Sequence, residues 1–309
     1  MGRINALAEP GGLPWTPHNF LALPREQSGL EASKVVLVPV PYDSSTSFRS
    51  GARYGPDAII AASYALEDYD LELDSDVSEV GIHTTLALEP HMGGPDLMVQ
   101  RVRDAVAQYV GSGRIVGVLG GDHSVAIGSV LAHLDTWPDM SVLYLDAHAD
   151  LRDEYMGTNW GHASGARRIH DLCPVALVGV RSMCQEERDY IAANSVPNFP
   201  WPPVRDDRPQ DFRAYEQSIV ERLNPSVYVS VDLDVFDPSI MAAVGTPEPG
   251  GMTWDQVVSL LRTVAETRKL VGFDVCELSP GEGPLACSYT AAKLVYKLAA
   301  YATVLGHGE

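Results

Sequence analysis

Six runs of almost unbroken apolar residues, each of strand length, punctuate the chain: 34–40 (KVVLVPV), 114–119 (RIVGVL), 141–145 (SVLYL), 175–180 (VALVGV), 226–231 (SVYVSV) and 270–275 (LVGFDV). A strand with one wet face alternates apolar and polar residues. A strand that reads apolar throughout is covered on both faces, the condition of a parallel sheet between helical layers. Stretches of helical character separate the runs, at 97–110, 124–136, 185–194, 211–223, 254–267 and 288–304. This alternation predicts an α/β sandwich with one central, mostly parallel sheet.

The chain has 309 residues, near the ~250–300 at which a single hydrophobic core stops growing. Residues 1–33, rich in Pro, Gly and polar residues, read as an irregular N-terminal arm laid over a single domain spanning 34–309. The Pro-rich stretch 198–208 is flanked by strands of the same type and does not divide that domain. Forty-one acidic residues against 22 basic ones give a net charge of −19. Such a balance argues against duplex DNA or an anionic membrane as partner and favours a cationic ligand. No run approaches the ~18 apolar residues of a membrane helix. The N-terminus lacks the apolar core of a signal peptide, and Ala6 breaks the myristoylation pattern. The four cysteines (Cys173, Cys184, Cys276, Cys287) form no C-x-x-C pair, so they read as buried apolar fillers in a cytoplasmic protein.

In open α/β sheets ligands bind beyond the carboxyl ends of the strands, so the residues after each run carry the functional signal. GGDHS follows the run 114–119, and DAHAD, with Asp146, His148 and Asp150, follows 141–145. Asp232 and Asp234 follow 226–231, and Glu277 follows 270–275. Residues two apart in an extended chain share a face, so D-x-H-x-D and D-x-D each aim their side chains together. Carboxylates gathered without counter-charge are strongly disfavoured, and divalent metal is the natural neutraliser. Four carboxylates match two divalent cations. With two imidazoles the donor set is oxygen-rich and suits Mn(II) better than a structural zinc. A lone D-x-D is usually a solvated loop, and a lone histidine is usually a hydrogen-bonded structural group. The joint placement at strand ends singles these residues out.

GGDHS, DAHADLRDEYMGTNWGHAS and SVDLDVFDP followed by GTPEPGG resemble the ureohydrolases, the arginase/agmatinase family, from about residue 34 to the C-terminus. PYDSSTSFRSGARYGPDAI (41–59) looks like the agmatinase-type N-terminal segment. The resemblance implies a three-layer α/β/α sandwich and a binuclear site holding two Mn(II) per chain, with no organic cofactor. It places His123, Asp146, Asp150 and Asp232 on one ion and Asp146, His148, Asp232 and Asp234 on the other. It implies that Glu277 holds the substrate guanidinium and that His162, in NWGHAS, relays a proton to the leaving amine. Asp150 or a neighbouring ligand would accept a proton from the nucleophile. The family also implies a small guanidino substrate and a homo-oligomer, trimer or hexamer.

Two departures stand out. The usual Gly-Thr-Gly-Thr-Pro run reads Ala-Val-Gly-Thr-Pro at 243–247, and Arg152 stands where arginase has an Asn that binds the amino-acid end. The leading expectation is hydrolysis of agmatine to putrescine and urea, in polyamine biosynthesis. 4-Guanidinobutyrate and aminopropylagmatine are the alternatives. From other classes come a single-zinc deacetylase, against which the His123–Asp150 pair argues, and a metal-binding regulatory relative without turnover.

Overall fold

The computed structural model describes residues 16–203 and 211–305. Its strands are β1 (Val35–Val40), β2 (Tyr69–Asp70), β3 (Ser75–Asp76), β4 (Ile82–Thr84), β5 (Ile115–Gly120), β6 (Ser141–Leu145), β7 (Val175–Val178), β8 (Asn198–Phe199), β9 (Ser226–Asp232) and β10 (Lys269–Cys276). Its α-helices are α1 (Arg25–Ser28), α2 (Gly55–Ser63), α3 (Pro95–Val106), α4 (Val125–Leu134), α5 (Gly165–His170), α6 (Gln185–Asn194), α7 (Phe212–Val220), α8 (Trp254–Thr267) and α9 (Leu285–Ala300), the last continued by a π-helical turn over Tyr301–Leu305. Among the described residues, eight strands form one parallel sheet in the order β4-β1-β5-β10-β9-β6-β7-β8.

All six apolar runs are strands of this sheet, and their side chains alternate between two buried faces. Val35 and Leu37 pack with α2, α7, α8 and α9, as do Val229 and Val231. Val36 and Val38 point the other way, onto α3 and α4, and Val142, Tyr144 and Tyr228 join α4, α5 and α6. The result is the three-layer α/β/α sandwich. The edge strands β4 and β8 have only three and two residues. They carry no pattern long enough to be read from sequence.

Helix ends follow local chemistry. Asp211 caps α7 through Ala214 N, and a Thr253–Gln256 capping box opens α8. Pro95 opens α3, so this helix begins two residues before its apolar pattern does. Phe20, Leu21 and Leu23, within the expected arm, are buried in the core. The start of that arm, with the N-terminal targeting signals considered above, lies outside the described residues, as does part of 198–208. The β2–β3 hairpin is fastened to the end of α9. There Lys297 Nζ reaches Asp70 Oδ1 at 2.8 Å and Glu72 Oε2 at 2.6 Å, while Tyr301 and Arg262 also bind Glu72, at 2.8 and 2.7 Å. Among the described residues, no helix is long and apolar enough to cross a membrane.

Candidate active site

The four strands at the middle of the sheet, β5, β10, β9 and β6, are neighbours, and their carboxyl ends deliver every residue singled out at a strand end. After β5 the chain turns through Gly121 and Asp122 into His123. Asp122 N donates to the Tyr42 carbonyl at 2.7 Å. A Cβ at Gly121 would collide with that same carbonyl, which is why a side chain is excluded there. After β6 come Asp146, His148 and Asp150, the last in the left-handed region at φ 50°. Asp232 closes β9, and Asp234 follows it in a 3-10 turn. After β10, Glu277 also enters the left-handed region, at φ 69°. Unusual backbone of this kind clusters at functional sites.

Five of the six expected ligand residues fall into two donor groups, and Asp150 stands beside the first of them. One donor atom each from His123, Asp146 and Asp232 lies within 4.8 Å of the others, and so do donors from Asp146, His148 and Asp234. His123 Nδ1 is 3.1 Å from Asp146 Oδ2, 3.4 Å from Asp232 Oδ2 and 3.9 Å from Asp150 Oδ2. His148 Nδ1 is 2.9 Å from Asp234 Oδ2 and 3.5 Å from Asp146 Oδ1. The four carboxylates are buried. Burial and then the neighbouring Asp146 charge push Asp150 well above the ordinary carboxylate range. Burial, Asp234 and Asp146 do the same to Asp232. His148 is driven the opposite way: burial disfavours its cation, but Asp234 and Asp146 raise it far above a free imidazole. Four buried carboxylates lean on two imidazoles for counter-charge. Such an oxygen-rich donor set with two nitrogens fits a binuclear centre of divalent ions, which would relieve the same repulsion.

Glu277 Oε1 accepts from His123 N at 2.8 Å, and His162 Nδ1 stands 3.5 Å from the same oxygen. His162 Nε2 lies 3.1 Å from Ser47 Oγ. Burial opposes a charge on His162, but Glu277 outweighs it and lifts the imidazole to about 9. A cleft of about 230 Å³ opens over the cluster, lined by His148, Asp150, Asp232 and His162 and also by Ser47, Arg152, Tyr155 and Glu187. Arg152 does line the cleft, its guanidinium 4.7 Å from the centre of the Tyr155 ring. Glu187 is buried and held by Leu151 N at 3.0 Å and Cys184 N at 2.7 Å. Cys184, half-buried, also lines the cleft, whereas the other three cysteines are buried.

The altered 243–247 loop is seated by its own apolar residues. Ala243 and Val244 are buried, Val244 bridges Leu278, and Ser279 N donates to Ala243 O at 2.8 Å. Thr246 Oγ1 still reaches Asp234 Oδ2 at 3.4 Å. Behind the loop Arg181 donates to the carbonyls of Asp234, Phe236 and Glu248, stapling the turn after β9 to the segment after β7.

Sequence reasoning missed several residues. Tyr144 stacks on His123 with ring centres 4.5 Å apart and donates to Asp150 Oδ2 at 3.0 Å. Ser230 contacts His123 Nε2 at 2.9 Å. Both sit two residues before a singled-out aspartate, on the same face of its strand, and that period was the available signal. Glu187 was legible only as the third residue of a capping box whose cap is a cysteine. Ser47 lies in the segment 41–59 that carries part of the resemblance, but no pattern within that segment singles it out.

Fold and cleft together define a hydrolase class. Residues 33–300 match the model of the arginase family, and the chain belongs to that family as a ureohydrolase. It is 40% identical over 268 residues to an N(1)-aminopropylagmatine ureohydrolase of Thermus thermophilus, covering 86% of this chain and 89% of the relative. To the N(1)-aminopropylagmatine ureohydrolase of Synechocystis sp. it is 36% identical over 300 residues, covering 93% and 96%. The agmatine ureohydrolase of Thermoplasma volcanium superposes with a TM-score of 0.83 at 29% identity, covering 94% of this chain and 96% of that one.

Proposed function

We propose that this ureohydrolase cleaves the guanidino group of N1-aminopropylagmatine, releasing urea and the corresponding triamine, with two Mn(II) held by His123, Asp146, Asp150 and Asp232 and by Asp146, His148, Asp232 and Asp234. Sequence reasoning ranks agmatine first. The observation that moves the weight to its aminopropyl derivative is the 36–40% identity, over most of the chain, to relatives bearing that name. The longer polycation also suits a cleft whose wall holds the buried Glu187 carboxylate.

Bound here, the ion pair would supply a water made acidic enough to attack at neutral pH and would stabilise the charge that develops. The protein does the rest. Glu277, fixed by His123 N, accepts the guanidinium N–H groups and sets the carbon over the attacking oxygen. Asp150, which lines the cleft beside that water, would take its proton. His162 is cationic below pH about 9 and gives its proton to the departing alkylamine nitrogen as the C–N bond breaks. The balance is guanidinium plus water to urea plus alkylammonium.

A second reading rests on Arg152. A guanidinium lining the cleft would clasp the carboxylate of 4-guanidinobutyrate bidentately. Urea release from N1-aminopropylagmatine, agmatine, 4-guanidinobutyrate and arginine at equal manganese loading separates the readings. We expect the aminopropyl compound to have the highest kcat/KM, about tenfold over agmatine, the value of ~1.4 kcal/mol of added binding. A preference for 4-guanidinobutyrate that Arg152→Ala abolishes would establish the second reading instead.

A further inference from the structure

Behind the ring of His123, on the side away from the carboxylate cluster, lies a second set of polar groups from β9 and β10. His123 Nε2 is 2.9 Å from Ser230 Oγ, and Ser230 Oγ donates to Asp274 Oδ1 at 3.0 Å. All three residues are fully buried. A hydroxyl has one hydrogen, and a carboxylate can only accept. With that hydrogen directed to Asp274, Ser230 offers His123 a lone pair, so Nε2 must carry the imidazole proton. Nδ1 faces Asp146, Asp232 and Asp150 and the Tyr144 hydroxyl at 2.9 Å, so with Nε2 committed to Ser230 it is the nitrogen left to exchange its proton for an ion. Asp274 has no lysine or arginine within ion-pair distance among the described residues; the imidazole beside it is His123, whose Nε2 lies 3.5 Å from Oδ1.

We propose that Asp274, acting through Ser230, is a positioning residue that fixes the orientation and tautomer of His123, so that Nδ1 is presented to metal. This inference rests on the metal reading above and adds residues that reading does not use. A buried carboxylate is costly unless its charge is used. Here it polarises the Ser230 hydroxyl and strengthens the imidazole as a donor, as outer partners of metal-ligating histidines do. His123 Nε2, Asp274 and Cys276 also lie close enough to resemble a third cation site. The relay accounts for the same atoms differently: Nε2 is protonated and faces a hydroxyl, so it has no lone pair for an ion.

The test measures manganese binding to purified apo-protein by calorimetry and elemental analysis, for wild type, Asp274→Asn and Ser230→Ala. The wild type should take up about two ions. In Asp274→Asn the weaker Kd should rise about 10–100-fold, with the other site and the apo-protein melting temperature changed little. Ser230→Ala, which removes only the bridging hydroxyl, should move the same Kd in the same direction, and adding Asp274→Asn to it should do little more. At limiting manganese, electron paramagnetic resonance should show isolated ions in the variants where the wild type shows a coupled pair. Unchanged affinities in both variants would overturn the relay while leaving the two-ion reading intact. Equal weakening of both sites together with a lowered apo-protein melting temperature would mark a merely structural role and also overturn it. Three ions in the wild type, with the third lost in Asp274→Asn, would establish the third site instead. No binding in the wild type would overturn the metal reading and this inference with it.

Discussion

His162, which lines the cleft, and the buried Glu277 face each other, Nδ1 to Oε1 at 3.5 Å. The pairing keeps the imidazole protonated to about pH 9, while the same carboxylate oxygen is anchored by His123 N. One residue is thereby a carrier of a proton and the other a fixed acceptor.

His162→Ala should lower kcat by about 10²–10⁴-fold, the usual contribution of general acid–base catalysis, and leave metal content unchanged. Because the protonated form is the donor, wild-type activity should fall as pH rises through about 9, and the variant should lose that limb. Urea release from pH 6 to 10, with elemental analysis of each sample, checks both points. A variant that kept the alkaline limb would remove His162 from the role.

Asp232 lies within donor distance of His123 and beside Asp234. If it bridges two ions, Asp232→Asn should disturb both and reduce activity to near background. We expect about two ions per wild-type chain and fewer than one in the variant. A variant that keeps one tightly held ion would instead make Asp232 the ligand of a single site.

Glu187→Gln should raise KM for the polycationic substrate about tenfold while changing kcat little, because the cleft loses a carboxylate that is not among the proposed reacting groups. Both Glu187 oxygens accept backbone N–H groups, from Leu151 and Cys184, and a glutamine amide can replace only one of them, so the melting temperature should fall and kinetics are compared where the variant is fully folded. Steady-state kinetics with N1-aminopropylagmatine and a melting curve decide this. An unchanged KM would place the distal ammonium elsewhere.

Glu72 supplies a pH dependence remote from the cleft. Burial raises its pKa, but hydrogen bonds from Lys297, Arg262 and Tyr301 prevail and bring it down to about 2 from 4.5. A carboxylate depressed by folding adds stability above its unfolded pKa and loses it as pH falls. The contribution should therefore be whole at pH 7 and drain away from about pH 4.5 to 2. Glu72→Gln should be less stable by about 1–3 kcal/mol at pH 7, the scale of a charged hydrogen bond. That gap should narrow in denaturation curves taken toward pH 3.

The sheet and its six principal strands were legible because a strand buried on both faces writes itself as an apolar run. The cluster of acids and imidazoles was legible because β6 and β9 end in period-two patterns of those residues. What escaped notice was whatever owes its place to tertiary packing. Asp274 lies inside an apolar run and reads there as an interruption, until β9 sets Ser230 beside it. Glu187 reads as a helix surface residue until the segment after β6 lays Leu151 N against it. Arg152 could not be oriented from sequence at all, since the ring that carries it belongs to Tyr155 in the loop beyond.

The cluster is assembled from strands remote in the chain: 154 positions separate His123 from Glu277 and 107 separate it from Ser230. No fragment short of nearly the whole sheet can present these donors together, so an ion that binds them binds only the finished fold. Ligation of that kind acts as mass action on folding, worth about 2.7 kcal/mol for a ligand at a hundred times its Kd. Divalent-ion supply would then govern the lifetime of the chain as well as its rate of turnover. A melting temperature that climbs with free metal and drops to a floor under chelation is the signature of that linkage.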